Sequence, residues 1–189
     1  MQAQAIIARV QQILLNPQAA WAQIDGESAS VQKLYMDYIV PLAAISVIAQ
    51  LLGLLLSGLG FLLLHTIVEF ALSLGGVYVF ALIIDYLAPQ FGAQKNFHQA
   101  FKVAAYMPTA AWVAGIFEIV PGIGGIIHVI GGIYSLYLLF LGLPVLMKPP
   151  SDRATTYTLV AIICAVIVGA IFGAVAARLF MPSVVVVTH

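Results

Sequence analysis

Between Tyr38 and Ile84 the chain runs 47 residues in which His65 and Glu69 are the only side chains that charge near neutral pH. As a single α-helix that run would extend about 70 Å, more than twice the roughly 30 Å thickness of a bilayer core. It has to turn back. Ser57-Gly58-Leu59-Gly60, near its middle, supplies the turn-forming residues, so two antiparallel membrane spans are predicted.

Val103 to Met147 repeats the arrangement, broken at Pro121-Gly122-Ile123-Gly124-Gly125, where proline removes a backbone donor and glycine permits positive φ. Tyr157 to Ala177 adds a last single span of 21 residues. The total is five transmembrane helices. Composition agrees, because charged residues make up 7% of the 189 against about 25% in a soluble domain. The fold class is an all-α membrane protein of five spans with short N-terminal interfacial helices. Residues 1–37 form a cytoplasmic amphipathic segment, 38–180 the transmembrane domain and 181–189 a short external tail. A net charge of zero gives no footing for nucleic acid. The lone Cys164 excludes an intramolecular disulfide framework.

Orientation follows from the basic residues. Arg9, Lys33, Lys95, Lys102, Lys148 and Arg153 fall on the N-terminal side of the spans and Arg178 alone on the other, which predicts a cytoplasmic N-terminus and an external C-terminus. No cleavable signal peptide is expected, since the first residues lack a basic region, an apolar core and a cleavage site. Instead Ile6, Ile7, Val10, Ile13 and Leu14 recur at helical spacing, opposite Gln2, Gln4, Gln11 and Gln12. Asn16 can cap a second short helix beginning at Pro17 and carrying Trp21 and Ile24. This pair either lies on the membrane surface or packs its stripe on the chain's own loops.

In the fifth span Ala161, Ala165, Gly169, Gly173 and Ala177 fall every four residues, and the fourth carries Gly124, Gly125, Gly131, Gly132 and Ser135. Such small-residue stripes let helix backbones approach closely and are expected to serve packing within the bundle.

Ionisable side chains at membrane depth are costly and invite a functional reading. His65 and Glu69, four apart on one helix face, and Glu118 and His128, on neighbouring spans, all fall in the outer half of the bilayer. Two imidazoles and two carboxylates at similar depth have the donor types to hold a divalent cation or relay a proton. They can equally neutralise one another. Glu69, the deepest carboxylate, is expected to face the third or fourth helix rather than lipid. No H-E-x-x-H pattern, G-x-S-x-G elbow or G-x-x-x-x-G-K-[ST] phosphate loop is present, so neither a zinc protease, a serine hydrolase nor an ATP-driven pump is expected.

The loop after the second span reads Asp85-Tyr86-Leu87-Ala88-Pro89, with a turn at Pro89 to Gly92 and a helix capped by Asn96. Lys102 should reach Asp85 or phospholipid phosphates, and Tyr86, Phe91, Phe97, Phe101 and Tyr106 should form an aromatic belt. Asp85, Tyr86, Lys102, Tyr106 and Trp112 are the candidate interface residues. The ordered set of Asp85 to Pro89, Ala100-Phe101-Lys102-Val103-Ala104-Ala105-Tyr106, and Tyr134 through Pro144 to Lys148 resembles the Yip family of Ypt/Rab-interacting membrane proteins, in its bacterial branch. The resemblance covers roughly nine-tenths of the chain. It implies a five-helix membrane domain with a cytoplasmic N-terminus and no agreed active site, hence no catalytic residues. Eukaryotic members bind Rab-type GTPases or one another through a long hydrophilic N-terminal region; about 37 residues precede the first span here, which weighs against GTPase binding.

The reading that results is a non-enzymatic membrane-organising or scaffold protein, akin to trafficking factors, of the bacterial inner membrane. Its expected partners are lipids and other membrane proteins or a second copy. Two other classes compete. One is a small cation or proton transporter built on His65, Glu69, Glu118 and His128; the other is an intramembrane lipid enzyme, since His98 and Asp85 border the headgroups.

Overall fold

A computed structural model describes residues 2–56, 63–120 and 122–180. The expected turn at Ser57 to Gly60, Pro121 in the second turn and the tail at 181–189 lie outside the described residues. Every regular element among those described is helical. Two short helices, α1 (Gln2–Leu15) and α2 (Pro17–Gly26), precede five long apolar ones. The first span is α3 (Val31–Leu56) and the second is α4 (Leu63–Leu87), which a 3-10 turn extends to Phe91. The third is made of α5 (Phe97–Tyr106) and α6 (Thr109–Ala114). The fourth is α7 (Ile123–Met147) and the fifth α8 (Ser151–Phe180).

Local chemistry sets the boundaries. The Asn96 side chain accepts from Gln99 N at 3.2 Å and starts α5 there, six residues ahead of the apolar run at Val103, so Lys102 belongs to the third span and not to a loop. Proline then divides that span: Met107 N–H closes the last turn of α5 on Val103 O at 3.0 Å, and Pro108, with no N–H, opens α6. Gly92, at φ 73°, closes the turn after α4. Within α3 a π turn at Tyr35–Ile39 shifts the register. Tyr35 Oη then reaches Leu74 O at 2.8 Å, while Tyr38 Oη sits 2.7 Å from Thr109 Oγ1.

The third span is central, packed on α3, α4 and α7, whereas α8 lies outside, chiefly against α4. Small residues make the close contacts, though only part of each stripe is used. A Cβ at Gly131 would come within 2.7 Å of Ala110 O. Gly125, Gly132, Gly169 and Gly173 have nothing within 4 Å of that point, so those glycines do not seat a neighbouring helix of this chain.

The N-terminal helices depart most from expectation. They neither lie flat nor rest on loops, but form an upright antiparallel hairpin, with Gln12 facing Gln23 and Arg9 facing Glu27 at 2.5 Å. Asn16 caps α2 at the bend. Up the hairpin, Leu14 O accepts from Tyr134 Oη at 2.8 Å, Trp21 packs over Gly142, and Asp25 pairs with Lys148 at 2.8 Å. That ascending order sets α2 parallel to α7. The end of the hairpin's apolar face nearest the bend and α2 are buried on the spans themselves: Ile13, Ala20, Trp21 and Ile24 are fully inaccessible, while Ile7 stays 56% exposed. With so apolar a surface available beside it, an amphipathic helix gains more by docking there than at a headgroup layer.

Candidate functional site

Two constellations emerge, one at the end of the bundle that carries the N-terminus and one inside the membrane. At the first, Lys102 is 4% exposed. Its Nζ donates to Ile24 O at 2.9 Å and Asp25 O at 3.4 Å, the carbonyls at the C-terminal end of α2. Ile24 O also accepts from Glu27 N at 3.2 Å and Asp25 O from Gln99 Nε2 at 3.3 Å, and the helix dipole concentrates negative potential at this end. The expected contact with Asp85 or lipid phosphate is therefore replaced, because the hairpin covers Lys102 and offers nearer acceptors. Around it Gln99 Nε2 donates to Asp25 Oδ1 at 2.7 Å, and Gln23 Nε2 to Glu27 at 3.0 Å. The Arg9 guanidinium stands 5.9 Å over the Tyr106 ring.

The other interface candidates divide. Tyr86 is 68% exposed, as a membrane-interface anchor should be. Tyr106 is buried instead, edge-on to Tyr38 at 4.6 Å and Trp21 at 6.4 Å. Phe101 is buried among Tyr35, Tyr78 and Phe97, and Phe91 stacks on Tyr157 at 5.0 Å. The expected belt is thus largely core, because the hairpin and α8 cover it. Asp85 Oδ1 is buried without a hydrogen-bond partner among the described residues, close to Tyr157, whose hydroxyl donates to Ile84 O at 2.6 Å. Trp112 is buried, its carbonyl accepting from Ser46 Oγ. Missed in the sequence were Arg9, Asp25, Glu27, Gln99 and Lys148. Their signal was the acidic Asp25-Gly26-Glu27 that ends an amphipathic segment whose one other charge is Arg9.

The second constellation is a partly open cavity of about 550 Å³ walled by membrane-spanning helices. Glu69 from α4, Glu118 from the end of the third span and His128 from α7 all line it, with Gln50 of α3 beside them. Glu69 borders the cavity with its side chain 37% exposed. In place of one four-residue cluster the structure holds two pairs: His128 Nδ1 with Glu118 Oε1 at 2.6 Å, and His65 Nδ1 with Glu69 Oε2 at 3.5 Å. His65 is not among the residues lining the cavity. Among the described residues no three His, Cys, Asp or Glu side chains converge as a metal-ligating group. The close Glu118–His128 contact already uses the groups that a divalent cation would need.

Compared with known proteins, residues 12–181 match the family model described as the Yip1 domain. No curated protein and no solved structure matches the chain.

Proposed function

The chain belongs to the Yip1 domain family, and from that premise we propose that it is a non-enzymatic membrane-organising protein of a bacterial inner membrane whose N-terminal hairpin acts as a wedge in the cytoplasmic leaflet. The observation that carries this is the upright docking of α1 and α2 on one end of the bundle. Tyr134, which holds the bend of the hairpin, lies 14 residues before Lys148, about 21 Å along the helix. The polar start of α8, Ser151 to Thr156, stands roughly 9 Å clear of its apolar stretch. The bend at Leu15 therefore reaches about 12 Å past the hydrocarbon boundary. Leu15 is 83% exposed there, and the charged side chains of the hairpin, Arg9 and Asp25, are only partly exposed and each ion-paired within the chain. Two added helices widen the bundle at this end, while the other has a pair of short connections. A body wider in one leaflet favours membrane that curves away from that leaflet. Lipids are thus the first partner, with other membrane proteins or a second copy recruited to the curved region.

Reconstituted into mixed small and large vesicles with the N-terminus outward, the protein should enrich on the small ones, and Leu15→Glu, at a site already exposed, should abolish the enrichment without unfolding the bundle. Equal partition of the unaltered protein would refute the wedge. The topology is tested separately. Single cysteines placed in the turn at 57–60, near Gly122 and after Phe180 should react with an impermeant reagent from outside, and one at Gln4 only after permeabilisation. Reaction of the tail from the cytoplasmic side alone would require an even number of spans.

A further inference from the structure

The cavity has features that the wedge does not use. Val47, Val77, Phe80, Val168 and Phe172 present hydrocarbon to it from three helices, while Glu69 from α4 and the Glu118–His128 pair from the third span and α7 also line it. The space is not a seat for a helix of this chain, since Gly169 and Gly173 border it with nothing within 4 Å of their missing Cβ atoms. Its volume, about 550 Å³, is within the roughly 300 to 1,000 Å³ range of small-molecule sites. Ionisable groups on three separate spans are expensive to retain at this depth if the cavity merely admits acyl chains.

We infer that this cavity binds a single-chain amphiphile with a cationic amine head, the chain lying between α3, α4 and α8 and the head against Glu69 and Glu118. Carboxylate oxygens accept hydrogen bonds, so the occupant has to bring donors, which an anionic carboxylate or phosphate head lacks. Glu118 already meets His128 at 2.6 Å, whereas Glu69 touches His65 only at 3.5 Å. Glu69 thus has most acceptor capacity toward the cavity, and a charge-assisted hydrogen bond to an ammonium uses it. The walls come from spans, so the amphiphile enters from the membrane, where such molecules concentrate.

The test uses the full-length protein in neutral phospholipid vesicles and a long-chain primary amine carrying a diazirine on its chain, alongside the matched carboxylic acid. The amine should label peptides of α3, α4 and α8 on illumination, and the acid should not. Glu69→Gln, which keeps the shape of the side chain, should lower amine labelling about tenfold, the loss of one charge-assisted contact. Gly169→Phe, which fills the cavity from a point with free space, should remove it. Gly132→Phe, equally unobstructed but away from the cavity, should leave it unchanged and controls for folding. Equal labelling by the acid would overturn the inference. So would labelling indifferent to Gly169→Phe, or stoichiometric binding of manganese or zinc that excludes the amine and is lost in Glu69→Gln.

Discussion

At the end of the bundle that carries the N-terminus, Arg9, Asp25, Glu27, Lys102 and Lys148 all find partners within the chain, and Trp21 is enclosed completely. Deeper in the membrane, Glu69, Glu118 and His128 border open space, and glycines there meet nothing. The first region is closed by contacts between residues more than 70 positions apart, such as Lys102 with Ile24; the second is left ajar by helices that do not meet. A region of the first kind fixes a shape, and one of the second kind admits something that is not protein.

Breaking the closed region should have the largest effect. Trp21→Ala removes the ring that packs over Gly142 and beside Tyr106. A loss of about 3–5 kcal/mol is expected from the cavity it leaves, measured by denaturant unfolding in detergent, together with faster proteolysis of α1 and α2. An unchanged midpoint would show that the hairpin is not part of the folded unit. Lys102→Met comes next. It keeps the stem but removes the charged donor, leaving Ile24 O to Glu27 N–H and Asp25 O to Gln99 Nε2, which should cost about 1.5 kcal/mol, read from the same transition; a loss as small as that of an exposed lysine would mean that those remaining donors serve the carbonyls equally well.

In the open region the sign reverses. Gly169→Ala meets nothing and restores helix propensity, so a gain of about 0.5–1 kcal/mol is expected, and destabilisation would reveal an unseen close neighbour. The smallest effect belongs to Lys148→Ala, which breaks a pair with Asp25 whose lysine is largely exposed. Less than about 1 kcal/mol should be lost, and the loss should shrink in high salt.

The contrast also explains what could be read from the sequence. The five spans, the Asn16 and Asn96 caps and the Gly92 turn depend on neighbours in the chain or on hydropathy alone, and all are present. Depth counted from the expected turns put His65, Glu69, Glu118 and His128 together in the outer half, whereas they form two separate pairs, since depth alone does not say which faces meet. The hairpin's upright stance was hidden, since an amphipathic stripe shows that a face will be covered without saying by what. Lys102 was misplaced for the same reason: its acceptors are two main-chain carbonyls on α2, and carbonyls leave no trace in side-chain patterns. The division of the glycine stripes into used and unused positions was hidden too, since spacing marks a face while contact requires a neighbour at the right distance.

The proline-jointed third span bears on how the molecule is made. It is the least apolar of the five and the most enclosed by its neighbours, whereas the fifth is the most apolar and the least enclosed. A segment leaving the ribosome is judged by the lipid on its own hydrophobicity, and by that measure the third span is the weakest candidate to stay in the bilayer. Its Tyr106, Thr109 and Trp112 find partners on α3 and the N-terminal hairpin, both synthesised earlier. Translation order thus delivers the hosts before the guest. The last span, which needs little from the others, arrives when the rest is already in place.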